Sequence, residues 1–327
     1  MDIEKKFSEI LNAKKNISVI TPKFISISSN NQTESQMQTE NAFSAKWEKY
    51  DYHASDFSKM VENQKQWYLE LYGFANEAKL KDYLSKCRLV LDAGAGKCYK
   101  AAWFAELSPE TTVIAADISS SLHDAAEFYA HLDNLFFVQC DIGNMPFFDN
   151  KLFDYISCDQ VIHHTKDPYK TFQELARITR TGKEISTYVY RKKALPRELL
   201  DEYFREYSKK LQHEELMELS SQLTELGKLL SSVDQEFNFP AIPALGIAGG
   251  TMTVQRFIYW NFIKCFWNNE LGYHNSLMTN FDWYSPSQAF RYSEEEFKQW
   301  LQQENFGETY FHQEEACFSG RFVKLPQ

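Results

Sequence analysis

Several familiar signals are missing from this 327-residue chain. Its six cysteines, at 87, 98, 140, 158, 265 and 317, form no C-x-x-C pair. Neither a disulfide frame nor a zinc site is indicated; the thiols read as reduced, as expected of a cytoplasmic protein, and no metal site is expected. The opening Met-Asp-Ile-Glu-Lys-Lys has no apolar core of the secretory kind. The most apolar late run, Phe257 to Trp267, is interrupted by Lys264 and is too short to cross a bilayer, so no membrane partner is expected. Positive charge is in deficit, with 35 Lys and Arg against 45 Asp and Glu, net −10 and pI near 5.4. That disfavours a nucleic-acid partner, which calls for clustered Lys and Arg. No internal repeat is visible.

What remains is ordinary in bulk, with 43% hydrophobic and 24% charged residues, and the length suits one large or two small domains. Aromatics reach 16% and crowd the carboxyl-terminal third. Either an aromatic-lined pocket or interface lies there, or the core uses Phe where others use Leu.

The stretch Leu89-Val90-Leu91-Asp92-Ala93-Gly94-Ala95-Gly96-Lys97 organises the rest. An apolar run ends in an acid, two glycines follow, and Cys98 to Leu107 reads as a helix. This is a buried parallel strand turning into a helix at its carboxyl end, where open α/β sheets bind nucleotides. Thr112 to Asp117 is a second strand, ending in an acid about 20 residues past the glycine turn, where a ribose-binding carboxylate belongs. Ser119 to His131 reads as a helix. Leu135 to Asp141, Phe153 to Cys158 and Lys183 to Tyr190 are further strands, with a helix over Thr171 to Arg180. The alternation predicts a doubly wound parallel sheet. Single acids at strand ends are often helix caps; three in succession at one edge are a pattern.

The Asp-Ala-Gly-x-Gly turn lacks the third glycine of a dinucleotide fingerprint at Tyr99. It resembles motif I of the class I S-adenosylmethionine (SAM)-dependent methyltransferases, of the small-molecule, type 11-like kind. Those often carry one more glycine where Cys98 stands. Ser293-Glu294-Glu295-Glu296 opens a helix, followed by strands at Gly307 to His312 and Ala316 to Val323, similar to the antiparallel hairpin that closes the sheet in that family. The resemblance implies a Rossmann-like seven-stranded sheet, six strands parallel and one antiparallel, with a mostly helical insertion after the fifth strand. On that basis residues 1–86 form an amino-terminal helical or lid region, with a polar linker at about 28–41. Residues 87–190 form the SAM-binding core, 191–291 a helical, aromatic-rich substrate-recognition insertion, and 292–327 the carboxyl-terminal completion of the sheet. Within the insertion, Leu195 to Val233 reads as two helices whose leucines are mostly core. Phe239 to Gly250 reads as a breaker-rich loop, Met252 to Phe266 as an aromatic helix, and 280–286 as a loop.

The resemblance also implies residue roles. Asp92, Ala93, Gly94 and Gly96 would serve the methionine end of SAM. Asp117 and Ile118 would hold ribose and adenine, Asp141 and Ile142 the adenine edge, and Asp159 and Gln160 the region near the methionine moiety and the methyl. His163 and His164 follow the fourth strand, where a neutral imidazole would take a proton from the acceptor; the alternative is that one bonds to backbone and the other meets solvent. His274, Asp282, Tyr284 and Arg291 are candidate substrate contacts, each with ordinary loop packing as the competing reading. The expected partner is a small-molecule acceptor of the methyl on O, N or C, leaving S-adenosylhomocysteine. Two other readings stand beside it: an RNA or protein methyltransferase, and a non-catalytic SAM-binding partner or regulator. The aromatic insertion is equally a candidate homodimer surface.

Overall fold

The computed structural model describes residues 17–27, 33–48 and 51–326. The helix expected in the first residues of the chain, and the start of the expected linker at 28–32, lie outside them. Twelve strands occur among the described residues: β1 (Ile17–Thr21), β2 (Phe24–Ile27), β3 (Leu89–Ala93), β4 (Thr112–Asp117), β5 (Leu135–Gln139), β6 (Phe153–Cys158), β7 (Thr179–Arg191), β8 (Glu236–Phe239), β9 (Gly250–Thr253), β10 (Arg291–Tyr292), β11 (Phe306–Gln313) and β12 (Cys317–Lys324). Ten of them share one sheet, in the order β1-β2-β5-β4-β3-β6-β7-β12-β11, with β10 paired to β7. From β2 through β7 every neighbouring pair is parallel. β12 is antiparallel to both β7 and β11. The chain therefore has the mixed, mostly parallel Rossmann-like sheet, extended at one edge by the β1/β2 hairpin.

The central strands are apolar on both sides because both faces are covered, as parallel sheets require. Alternate residues feed two cores. Leu91, Ile114, Phe136 and Ile156 pack with Phe172 and Leu175 of the helix Pro168–Ile178 and with Phe297 of Glu294–Gln303. Val90, Val113, Phe137 and Tyr155 pack with Phe104 of the helix Tyr99–Leu107 and with Tyr68 and Leu71 of Ser55–Leu71. Every residue of β3 is buried, Asp92 included.

Residues from Glu34 belong to a helix, Glu34–Glu48, which replaces the expected linker over 34–41. Its run of Glu, Gln, Met and Ala has good helix propensity and no glycine or proline, and this outweighed the low-complexity look of the sequence.

The chain divides into two compact units, Met1–Tyr190 with Phe290–Gln327, and Arg191–Ala289. The second holds the helices Leu195–Ser208, His213–Ser231, Val254–Asn261 and Gly272–Tyr284. Two expectations for it are corrected. A β8/β9 hairpin pairs Glu236 with Thr253 and Phe239 with Gly250, so the breakers lie in its connection and the aromatic helix starts only at Val254. The expected loop over 280–286 is largely helix, ending at Tyr284 before Pro286. The leucines also depart from expectation: Leu216 and Leu223 are buried, but Leu199 is 63% exposed and Leu229 68%. On Leu195–Ser208 the polarity is inverted. Leu195, Leu199, Tyr203 and Tyr207 face outward, and Arg197, Asp201, Arg205 and Ser208 are the buried stripe.

In the first unit, the buried hydroxyls of Tyr68, Tyr155 and Ser186 form a chain, with Tyr68 and Tyr155 oxygens 2.6 Å apart. It joins the helix Ser55–Leu71 to β6 and β7. Tyr155→Phe leaves Tyr68 and Ser186 without their shared partner, and urea unfolding should show a loss of about 1–3 kcal/mol.

Candidate functional site

At the carboxyl end of β3 the chain bends sharply, and the ends of β4 hold the bend. Gly94 and Ala95 both donate their N–H to the Ala116 carbonyl, at 2.7 and 3.1 Å. Gly94 has φ +81° and Gly96 +52°. A Cβ on Gly94 would lie 2.3 Å from Val161, and one on Gly96 would lie 2.9 Å from the Trp47 indole. Both positions need glycine, for conformation and for space. Cys98 also takes a left-handed conformation, φ +59°, the geometry a third glycine would adopt. Its thiol is fully buried in the core under the helix it starts.

The acids at the strand ends have different surroundings. Asp117 accepts from Gly96 N–H through Oδ2 and from Ser119 N–H through Oδ1, both at 2.8 Å. It thus pins the glycine turn to the end of β4, and each oxygen keeps a further lone pair. Asp141 accepts from Gly143 N–H at 2.8 Å, and Ile142 beside it is buried. Asp159 is filled from within: Tyr72 Oη and Lys100 Nζ each donate at 2.7 Å, and Gln160 Nε2 at 3.2 Å. Lys100 also reaches the Asp159 carbonyl at 3.3 Å. Gln160, at φ +63°, donates to Gln64 Oε1 at 2.9 Å. Burial works against the Lys100 ammonium, but Asp159 outweighs it and holds the pKa above the usual lysine value.

Asp92 is the exception. It is wholly buried, and neither carboxylate oxygen has a hydrogen-bond partner among the described residues. Burial raises its pKa to about 6; Asp159 and Asp117 push it the same way, and Lys100 and the backbone N–H of Ala101 pull it down. A buried acceptor left empty beside a glycine turn is a place for a cationic donor from outside the chain.

The histidines are not where an open base would be. The His163 ring is completely buried, 3.8 Å from the Tyr190 ring by centroid, with Nδ1 at 3.4 Å from the Tyr188 carbonyl. Burial and the neighbouring His164 hold its pKa well below the usual value, so it is neutral. It has the protonation state of a base without the access, which corrects the expectation of an open imidazole. His164 keeps slight exposure and meets the Phe43 ring edge-on at 4.9 Å. Of the substrate candidates, His274 is exposed on its helix and Asp282 is half-buried. Tyr284 is buried and donates to the Lys264 carbonyl at 3.2 Å, and Arg291 is buried in β10. Arg291 belongs to the sheet unit and the other three to the helical unit.

Sequence reasoning missed Lys100 and the pairing of Tyr72 with Asp159. Lys100 falls on a helix read as simply covering the sheet, and only its 4% exposure marks it.

A family described as a methyltransferase domain matches residues 91–186. Over those residues the chain is similar to methyltransferase domains. Over 109 residues it is 32% identical to an uncharacterised methyltransferase of Schizosaccharomyces pombe, an overlap that covers 31% of this chain and 39% of that protein. Solved structures resemble it more distantly. A Burkholderia thailandensis 1,6-didemethyltoxoflavin-N1-methyltransferase, holding 1,6-didemethyltoxoflavin and S-adenosylhomocysteine, is 11% identical over 95% of this chain and all of its own, with a TM-score of 0.44. A SAM-dependent methyltransferase of Aquifex aeolicus is 14% identical over 82% of this chain and 98% of its own, with a TM-score of 0.41. The residues present fit SAM at one point: Asp92 offers two acceptor oxygens without a hydrogen-bond partner for an α-ammonium, while the space over Gly94 and Gly96 is taken by Val161 and Trp47.

The raised pKa of Asp92 sets a direction. The folded chain holds this proton more tightly than the unfolded chain does, so the ionised carboxylate costs stability increasingly as pH rises through about 6. Asp92→Asn should therefore gain stability relative to the parent between about pH 4 and about pH 8, approaching 2–3 kcal/mol at the upper end, read by urea unfolding. The same variant should lose S-adenosylhomocysteine affinity by about tenfold or more in calorimetry. A variant that is both less stable and equally tight-binding would contradict the assignment.

Proposed function

We propose that the chain is a SAM-dependent methyltransferase whose acceptor is a small molecule. The observation that carries this reading is the orphaned Asp92 carboxylate beside a glycine turn, inside the segment that matches a methyltransferase domain. SAM, when bound, supplies a methyl on a sulfonium, so the leaving group is already good and the protein's work is to bind, align and keep water out.

In this reading Asp92 accepts from the α-ammonium, beside the turn at Gly94 and Gly96. Asp117 uses its remaining lone pairs for the ribose hydroxyls, and Ile118 packs on the adenine. Asp141 and Ile142 serve the adenine edge. Asp159 and Gln160 act differently from the open contacts first expected of them. Held by Tyr72, Lys100 and Gln64, they fix the floor of the methionine end. His164 is the better candidate for taking a proton from the acceptor, and His163 supports it as a neutral ring packed at a tilt against His164 and Tyr190. Substrate selection is assigned to residues 191–289, with His274 and Asp282 as its more accessible polar groups.

The net charge of −10 favours a metabolite over nucleic acid as acceptor. A non-catalytic SAM binder would be favoured if Cys98, standing where the related turns often have glycine, crowded the ligand. The Cys98 backbone takes the glycine-like conformation and its thiol turns into the core, which favours a working turn.

Three measurements test this. Calorimetry should give S-adenosylhomocysteine binding that Asp117→Ala abolishes. SAM with a methyl label, incubated with a metabolite extract, should label a low-mass product heavier by one methylene; label confined to protein or RNA fractions would overturn the small-molecule reading. His164→Ala should lower turnover by about 100-fold if it is the base, whereas full turnover in both His163→Ala and His164→Ala would mean that neither histidine is needed.

A further inference from the structure

The helical unit buries charge in a way its own packing does not require. On the helix Leu195–Ser208 the inward stripe is Arg197, Asp201 and Arg205, and the apolar residues face outward. Reversing a helix so that ionic groups go in and leucines go out sacrifices apolar burial and adds desolvation. Part of the inward charge is structural. Arg197 donates to the Tyr259 carbonyl at the end of the helix Val254–Asn261 and, at 2.8 Å, to Asp201. Arg205 donates to the carbonyls of Trp283 and Pro286, at 3.1 and 2.7 Å, after the helix Gly272–Tyr284. Both arginines thus cap helix carboxyl ends.

Lys264 has no such role. It lies in the segment between two helices, 8% exposed, and its ammonium makes no hydrogen bond or ion pair with any described residue. It rests 4.6 Å from the centre of the Trp283 indole. The guanidinium carbons of Arg197 and Arg205 lie 5.3 and 6.0 Å from the centre of that same ring. Three cations thus converge on one aromatic ring, and Asp201 is the only fully buried carboxylate among them; its Oδ1 is itself without a hydrogen-bond partner. Like charges repel one another here, and indole contact offsets only part of that.

We propose that this cluster is a binding site for the anionic group of a small molecule, a carboxylate or a phosphate-type oxyanion, with Lys264 as the residue that meets it and Trp283 as the flat wall beside it. An incoming anion supplies the acceptor that Lys264 lacks and relieves the repulsion among the three cations. The residual exposure of Lys264 leaves it reachable. The site belongs wholly to the helical unit and stands or falls independently of methyl transfer.

The protonation of Lys264 adds a signature. Burial first, then Arg197 and Arg205, lower its pKa to about 7, while Asp201 and Asp282 oppose the shift. Those four, with the phenols of Tyr259 and Tyr284, are the charged and titratable groups that face it. A bound anion raises that pKa again, so binding near neutrality takes up roughly half a proton.

The test uses the full chain with two probes, sulfate for the tetrahedral oxyanion and benzoate for the planar carboxylate, against chloride at equal ionic strength. For the wild type, at least one probe should raise the melting temperature by about 2 °C or more over chloride. Calorimetry in two buffers of different ionisation enthalpy should then show proton uptake. A response to sulfate alone assigns a phosphate-type ligand, and to benzoate alone a carboxylate. Lys264→Met, which removes an unpaired buried cation, should melt higher than the parent without any probe and should lose both the thermal response and the proton uptake. The exposed Lys210→Met should keep them. No response from the wild type to either probe, or an undiminished response in Lys264→Met, overturns the proposal.

Discussion

A carboxyl group sealed at the end of a central strand, with nothing to bond, is the constraint that the first unit is built around. Burial of a carboxylate is tolerated when the protein supplies donors, and here the protein supplies them to the neighbouring acids. Asp117 takes two backbone N–H groups and Asp159 takes a phenol, an ammonium and an amide. Asp92 takes none, and its pKa rises accordingly. The chain could relieve this with an asparagine. Retaining the acid makes sense if the missing donor arrives with a ligand, in which case the cost to the empty protein becomes affinity for a cation.

The acids around it explain how such a group is kept in place. Asp117 holds the turn through Gly96, and the turn is further tied to Ala116. Lys100 and Asp159 form a buried pair that moderates the field at Asp92 without bonding to it. The helix Glu34–Glu48 lays Trp47 on Gly96 and Phe43 against His164, so the same edge is covered by aromatic rings from an element far away in sequence. Glycine is needed there on both counts: a side chain at Gly94 would strike Val161, and one at Gly96 would strike Trp47.

How much of this the sequence carried depends on the range of the interactions involved. The parallel strands were legible because burial on both faces writes a continuous apolar run, and the acids at their ends because position relative to a glycine turn is a local feature. The helical start over 34–41 was not, since its polar residues look like those of a linker and propensity is a weak signal over so few turns. The β8/β9 hairpin was hidden by the glycines and prolines between its strands. Cys98 looked like a departure from the pattern, yet its backbone keeps the left-handed geometry and only the side chain changed. Lys100 and Tyr72 were invisible for another reason: they act on Asp159 across 59 and 87 residues of sequence.

The helical unit shows where periodicity misleads outright. Leu195, Leu199, Tyr203 and Tyr207 recur at every fourth position, the usual mark of a core-facing stripe, and Arg197, Asp201 and Arg205 recur at the same interval on the other side. A period identifies a helix and its two faces; it does not say which face is inside, because that choice depends on what the neighbouring helices offer. Here they offer open carbonyl ends at Tyr259, Trp283 and Pro286, which guanidinium groups satisfy and leucines do not. That accounts for two of the inward cations and fixes the orientation of the helix. It does not account for the third, and an ammonium on an indole face beside two guanidiniums is stable chiefly in company that brings negative charge.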